Sequence, residues 1–263
     1  MSVMLQMSGD GFVAPGSSDF ELPAIFNLGA LGVTKPMLQV IFAVAVIAIF
    51  FVVVGRNMKL VPGRTQFLAE GIYSFVRNGI GRDVIGSHDF AKFVPLLLSL
   101  FTFVYINNLF GVLPFVQFPT MSRIGFPIAL TIVVWLTYLY VGVRKQGFYS
   151  YFKNMMFPPG VPKPVYVLLA PIELLQGVIT RPLTLALRLF ANMFAGHLLL
   201  LVFIIGGEAM LTGTTLLSKV LSPAAFAMGI VLTFFEALVQ LLQAYIFTLL
   251  TALYIASSLS EEH

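Results

Sequence analysis

Apolar residues run in long blocks along this chain, and polar residues fall mainly between the blocks. Met37 to Gly55 carries no charge and is long enough to cross the roughly 30 Å of a bilayer's hydrocarbon as a helix. Two further blocks, 92–118 and 123–144, are separated by a turn containing Pro114, Pro119 and Arg123 and read as a helical hairpin. The last two blocks, 164–206 and 219–259, are far longer. Forty helical residues extend about 60 Å, twice the hydrocarbon thickness, so such helices must tilt, break or project from the membrane. Pro171 and Pro182 fall inside the first of them and predict kinks. A short loop, Gly206 to Lys219, joins the two and contains Glu208.

The stretch 62–82 has a different pattern. Phe67, Leu68, Ile72, Phe75, Val76 and Ile80 recur at helical spacing, with Arg64, Glu70, Arg77 and Asn78 on other faces. This predicts an amphipathic helix lying on the membrane surface. Residues 1–36 are mixed and rich in Gly, Pro and Ser, and hold Asp10, Asp19 and Glu21 against Lys35. They read as an acidic extramembrane segment with a short helix near Pro23–Leu28 and no cleaved signal peptide. The expected fold is an all-α polytopic membrane protein, with about five membrane segments, one surface helix and no soluble domain.

Composition agrees with that reading. The 263 residues are 59% hydrophobic and 10% charged, where a soluble domain carries about a quarter charged residues. The net charge of +4 does not imply nucleic-acid binding, because the basic residues occupy short loops. Six lie in Arg56–Lys92 and four in Arg144–Lys163, against Lys35, Arg123 and Lys219 on the other side. By the positive-inside rule the N-terminus is outside and the C-terminus cytoplasmic. Without cysteine there is no disulfide or thiol chemistry, and three scattered histidines (His88, His197, His263) predict no metal site. No Gly-rich phosphate loop is present, and no cofactor is expected.

Polar residues inside the apolar blocks are the chemical signal. Arg181, Thr184, Arg188 and Asn192 lie within about 60° of one helical face at about 100° per residue. Arg cannot shed its proton to escape the cost of hydrocarbon. His197 faces the opposite side of that helix. On the last block Glu236, Gln240 and Gln243 share one face. A carboxylate and an imidazole within a membrane protein are natural proton-relay groups. Arg188 can serve only as a fixed barrier or as the attractor of a carboxylate. A plain structural pair between Arg188 and Glu236 is the bland alternative, and Asn107–Asn108 reads either as interhelical packing or as part of a water path. His88, Asp83 and Asp89 read as decoration of a wetted turn.

The stretch Pro182-Leu-Thr-Leu-Ala-Leu-Arg-Leu-Phe-Ala-Asn-Met-Phe-Ala-Gly-His197 resembles the signature of subunit a of F-type ATP synthases. So does Leu241-Leu-Gln-Ala-Tyr-Ile-Phe-Thr-Leu-Leu-Thr-Ala-Leu-Tyr254, with weaker matches at Pro95–Pro114 and Ala170–Glu173. The resemblance covers most of the chain from about Met37 onward. It implies a stator subunit, not an enzyme by itself, in a bacterial plasma membrane. It also implies partners: a c-subunit ring, the b subunits of the peripheral stalk, the F1 sector and membrane lipid. The long tilted hairpin would face the ring. Arg188 matches the family's essential arginine, which separates two aqueous half-channels opposite the ring carboxylate. Asn192 and Gln243 match positions near it. His197 and Glu236 match a pair lining the outer half-channel, with Gln240 beside them, and Glu173 matches an acidic position on the inner side. The rival expectation is a self-contained secondary transporter with an intramembrane arginine site, for which paired broken helices and inverted repeats would be the sign.

Overall fold

A computed structural model describes residues 16, 26–28, 31–113, 119–157, 165–213 and 215–259. Most of the expected acidic N-terminal segment, part of the hairpin turn and the last four residues lie outside the described residues. Phe26–Leu28 (β1) and Leu31–Val33 (β2) form a small antiparallel hairpin. This corrects the short helix expected near Pro23–Leu28. Three residues on each side of a tight turn are too few for helical nucleation but enough for one ladder.

The rest is helical. α1 (Lys35–Arg56) begins with a proline in its first turn and ends where Asn57 donates its side-chain amide to Val53 O at 2.9 Å. α2 (Arg64–Ser74) continues as a π-helical stretch, Phe75–Arg82, and a last turn, α3 (Asp83–Ile85). α4 (Val94–Leu109), α5 (Gly125–Gln146) and α6 (Phe148–Met156) follow. α7 (Tyr166–Leu175) passes through a π-helical turn, Gln176–Thr180, into α8 (Arg181–Thr212). α9 (Leu216–Leu259) closes the chain.

Among the described residues, four helical stretches are long and apolar enough to cross a membrane: Lys35–Arg56, Gly125–Gln146, Tyr166–Thr212 and Leu216–Leu259. α4 is apolar but shorter, at 16 residues. That is about 24 Å, less than the roughly 30 Å of hydrocarbon. Its C-terminal end is a tight turn, with Gly111 N–H bonded to Asn108 O and Leu113 N–H to Leu109 O. The chain is an all-α polytopic membrane protein. Its outward faces are hydrocarbon-like: Ile41, Phe42, Ile49 and Val52 on α1 and Ile230, Val231, Phe234 and Phe235 on α9 are all exposed.

The core lies where α4, α5, α8 and α9 meet. Leu97, Leu100 and Val104 of α4 pack with Val134 and Tyr138 of α5, Leu185, Leu189 and Met193 of α8, and Ala244, Phe247 and Ile255 of α9. Val76 and Ile80 of the π-helical stretch join this core, so the expected surface helix is docked to the bundle along one face. Phe67 and Leu68, at its beginning, remain exposed. Several hydroxyls inside the bundle bond within their own helices: Thr248 donates to Ala244 O and Thr251 to Phe247 O.

The connection between the two long helices is shorter than the expected loop of Gly206 to Lys219. α8 continues to Thr212, so Glu208 lies on the helix. Gly207 does not break α8 because it is a crossing point: a Cβ there would meet Phe226 at 3.3 Å, and Ser222 donates to Gly207 O at 2.8 Å. At the other end, α5 and α6 tie down the C-terminus of α9. Lys145 Nζ donates to Leu259 O and Gln146 to Ser258 O, giving the last carbonyls of α9 partners. Between α3 and α4, Lys92 bonds Asp89 at 2.9 Å, which holds that carboxyl below its usual range, and His88 is fully solvated.

Gly142 of α5 supports the ring of Tyr151, which would lie 2.2 Å from any Cβ. Gly142→Ala is therefore expected to lower stability by about 1–3 kcal/mol through overpacking. A thermal unfolding scan in detergent checks this. Gly55→Ala, where nothing lies within 4 Å, should leave the midpoint in place.

Candidate functional site

α8 and α9 form an antiparallel hairpin joined at Gly213–Thr215 and share the largest helix–helix interface of the molecule. One of its close contacts carries the acidic residue. A Cβ at Gly196 would lie 3.1 Å from Glu236 Oε1, so the carboxylate of α9 rests directly on the α8 backbone, one residue before His197. Glu236 and His197 are both buried, at 6% and 7% exposure. Gln240, one turn along α9, donates its amide to Glu236 Oε1 at 3.2 Å. Gln240 in turn lies against Gly111, at the end of α4. The expected acid and amide thus meet, and the imidazole is buried at the same level of the hairpin.

Arg188 lies elsewhere. It precedes Gly196 by eight residues, which is about 12 Å along the helix axis. It is exposed, and among the described residues it has neither a hydrogen bond nor an ion pair. The bland alternative of a structural Arg188–Glu236 pair is absent. The face around it is exposed and apolar: Leu183, Leu187, Ala191 and Ala195 recur at four-residue spacing. Asn192, one turn on, is half-buried, and its side-chain nitrogen has no partner. Gln243 is buried seven residues beyond Glu236, about 10 Å back along the antiparallel helix, and so comes near the level of Arg188. Its amide nitrogen is also unpartnered.

On the other side of Arg188 an open cavity of about 630 Å³ separates α7 and α8 from the end of α9. Its polar lining is Gln176, Thr180, Arg181, Thr184, Tyr254 and Ser257. The π-helical turn Gln176–Thr180 forms one wall. Such a turn leaves backbone carbonyls out of the regular ladder, and the hydroxyl of Tyr138 donates to one of them, Gly177 O, at 2.8 Å. Pro182 follows this turn directly, so its missing N–H falls where the ladder is already interrupted. The Arg181 guanidinium lies over the Tyr254 ring, 5.6 Å from its centroid. Glu173, on α7, is half-buried next to the cavity residue Ile172 but is not part of the lining.

Gln176, Thr180 and Ser257 were not among the residues singled out by sequence. The signal was there for two of them. Gln176, Thr180, Thr184, Arg188 and Asn192 recur every fourth residue along an otherwise apolar stretch. At the far end, Asn107 is a packing residue: it accepts from Thr120 at 2.9 Å and donates to Phe103 O. Asn108 is fully buried beside it without a side-chain partner. No group of three or more potential metal ligands occurs among the described residues.

Comparison with known proteins adds a family. Residues 37–256 match the family model described as ATP synthase A chain. The chain is 47% identical to ATP synthase subunit a of Nocardioides sp., covering 100% of this chain and 98% of that one. It is 44% identical to ATP synthase subunit a of Pseudarthrobacter chlorophenolicus, covering 98% and 97% of the two chains. The corresponding protein of Frankia alni is 41% identical over 98% of this chain and 90% of its own.

The bond from Tyr138 to Gly177 O predicts the behaviour of Tyr138→Phe. Losing one hydrogen bond to a buried carbonyl costs about 1 kcal/mol. Amide hydrogen exchange across 176–180 should speed up about fivefold, with exchange in α4 unchanged. Unaltered exchange across this turn would mean that Tyr138 does not hold it.

Proposed function

The chain belongs to the ATP synthase A chain family, and from that premise we propose that it is the proton-translocating stator subunit of a rotary ATP synthase. The observation that carries the proposal is Arg188, a permanent cation without an anionic partner, on an exposed apolar face of α8. A monomer that ended its function at this surface would leave the charge uncompensated in hydrocarbon. A neighbouring subunit that brings a carboxylate to this face compensates it. A ring of c subunits, each carrying one such carboxyl, supplies that group repeatedly as it turns.

Each residue then has a role set by its chemistry. Glu236 and His197 can both exchange a proton, and they serve the outer half-channel, through which a proton reaches an ionised ring carboxylate. Gln240 orients Glu236 by its amide bond. The loaded, neutral carboxyl enters the lipid and completes most of a rotation. When it returns, Arg188 favours its ionised form, so the O–H bond breaks and the proton leaves by the inner half-channel. The cavity between Gln176 and Ser257 suits that exit, and Glu173 lies near its mouth. Arg188 does not deprotonate, so it passes no proton between the two paths and prevents a leak. Asn192 and Gln243 offer unpartnered amides near the arginine and fix its position when the ring is docked.

The subunit itself does no ATP chemistry. Rotation couples to the F1 sector, while the b subunits of the peripheral stalk hold this chain still. The N-terminus faces outward and the C-terminus the cytoplasm of a bacterium, a placement supported by the distribution of loop charges. A self-contained transporter has no use for an unpaired arginine on an outward face.

The test is ATP-driven proton pumping in membrane vesicles carrying Arg188→Ala, with assembly of the ring and stalk verified first. The expected outcome is an assembled complex whose pumping falls to the level seen without ATP. Coupled pumping at the wild-type rate would remove Arg188 from the mechanism. Glu236→Leu, in the same assay, is expected to slow pumping while leaving assembly intact.

A further inference from the structure

A second cavity, of about 600 Å³, lies at the other side of the molecule, between the C-terminal half of α1 and the start of α2. Its wall is of two kinds. Along α1 it is apolar: Val46, Ile49, Phe50, Val53 and Val54. At the helix end it is polar: Asn57, Lys59, Thr65 and Gln66, with Gly63 between them. The polar end is held rigidly by Gln66, which is buried. Its side-chain oxygen accepts from Lys59 N–H, and its nitrogen donates to Lys59 O, both at 3.0 Å. The same nitrogen reaches Glu70 at 2.7 Å. The groove is therefore formed before anything occupies it.

Charge surrounds the polar end. Arg56, Lys59 and Arg64 are all exposed, and none has an ion pair among the described residues. Glu70 is the acidic residue close by, and its bond is to Gln66 rather than to a cation. The local balance is cationic.

We propose that this groove binds one anionic phospholipid, with its phosphate at Lys59 between Arg56 and Arg64 and one acyl chain along Val46–Val54. The dimensions favour a lipid over a membrane-spanning helix of a partner. The nine residues Val46–Val54 of α1 give an apolar wall about 12 Å deep, close to the roughly 15 Å of one leaflet's hydrocarbon. A partner helix would need a groove through both leaflets, but above Val46 the buried face of α1, at Gln39 and Ala43, is closed. The inference needs only the membrane placement of α1 and is independent of the proton pathway.

The experiment uses the intact complex in phosphatidylcholine vesicles. These contain a small fraction of phosphatidylglycerol or phosphatidylcholine carrying a photoreactive acyl chain, and labelled peptides are mapped by mass spectrometry. Labelling of Val46–Val54 should be stronger with phosphatidylglycerol and fall about fivefold for each cation removed among Arg56→Ala, Lys59→Ala and Arg64→Ala. Val53→Trp, which fills the groove and keeps the cations, should abolish it. Equal labelling by the two lipids, labelling indifferent to these variants, or a partner-subunit peptide cross-linked in the groove would each overturn the proposal. Because the readout is a lipid adduct, it is unaffected by whether protons move through Arg188.

Discussion

A charge that cannot be neutralised by losing its proton is the constraint on which the rest of this structure depends. Burying a guanidinium costs several kcal/mol unless it is compensated. Among the described residues, no carboxylate pairs with Arg188. Glu236 instead lies about 12 Å further along α8, seated on Gly196 and bonded to Gln240. Arg188 and Glu236 are thus kept apart by packing. An internal pair would have quenched both, and the proposed mechanism needs both available.

The surrounding architecture serves that separation. α8 and α9 run antiparallel over 32 and 44 residues, far longer than a bilayer requires. Close approaches at Gly196 and Gly207 hold them in register. Seven residues of α9 carry the chain from the acidic level at Glu236 back to Gln243, near the arginine. Beyond Arg188, the π-helical turn re-aims the preceding residues and opens a polar cavity in a stretch that would otherwise close on itself. Tyr138 stabilises that irregularity from a third helix. The apolar blocks alone would have produced a bundle; the glycines and the π turn give it two distinct polar regions on either side of one cation.

Much of this was legible in the sequence, and the reasons are physical. Uninterrupted apolar blocks with charges only between them define an all-α membrane protein, and the motif around Arg188 identifies its family. The four-residue recurrence from Gln176 to Asn192 is also present, although the face of Arg181, Thr184, Arg188 and Asn192 leaves out its first two members. Other features depend on information that no local pattern carries. Gly206 and Gly207 resemble the start of a loop. The helix continues through them, and at Gly207 the close packing of Phe226 and Ala225 compensates the helix cost of glycine. That Glu236 falls at the level of Gly196 depends on where α9 begins after α8 ends, which no periodicity encodes. The hairpin at Phe26–Val33 replaces an expected helix because pairing across a turn outweighs weak local propensity in so short a segment.

The central claim is that the exposed face of Arg188 receives a carboxylate-bearing helix from another subunit. The chain has no cysteine, so a single introduced thiol reports on contact without background. Ala191→Cys, exposed on the arginine face, should form a disulfide with a cysteine placed beside the carboxyl of the c subunit, which requires Cα atoms within about 7 Å. The same ring cysteine should not react with Val44→Cys on α1. Efficient cross-linking at Ala191 and none at Val44 is the predicted result. No cross-link at Ala191, or equal yields at both positions, would contradict the account.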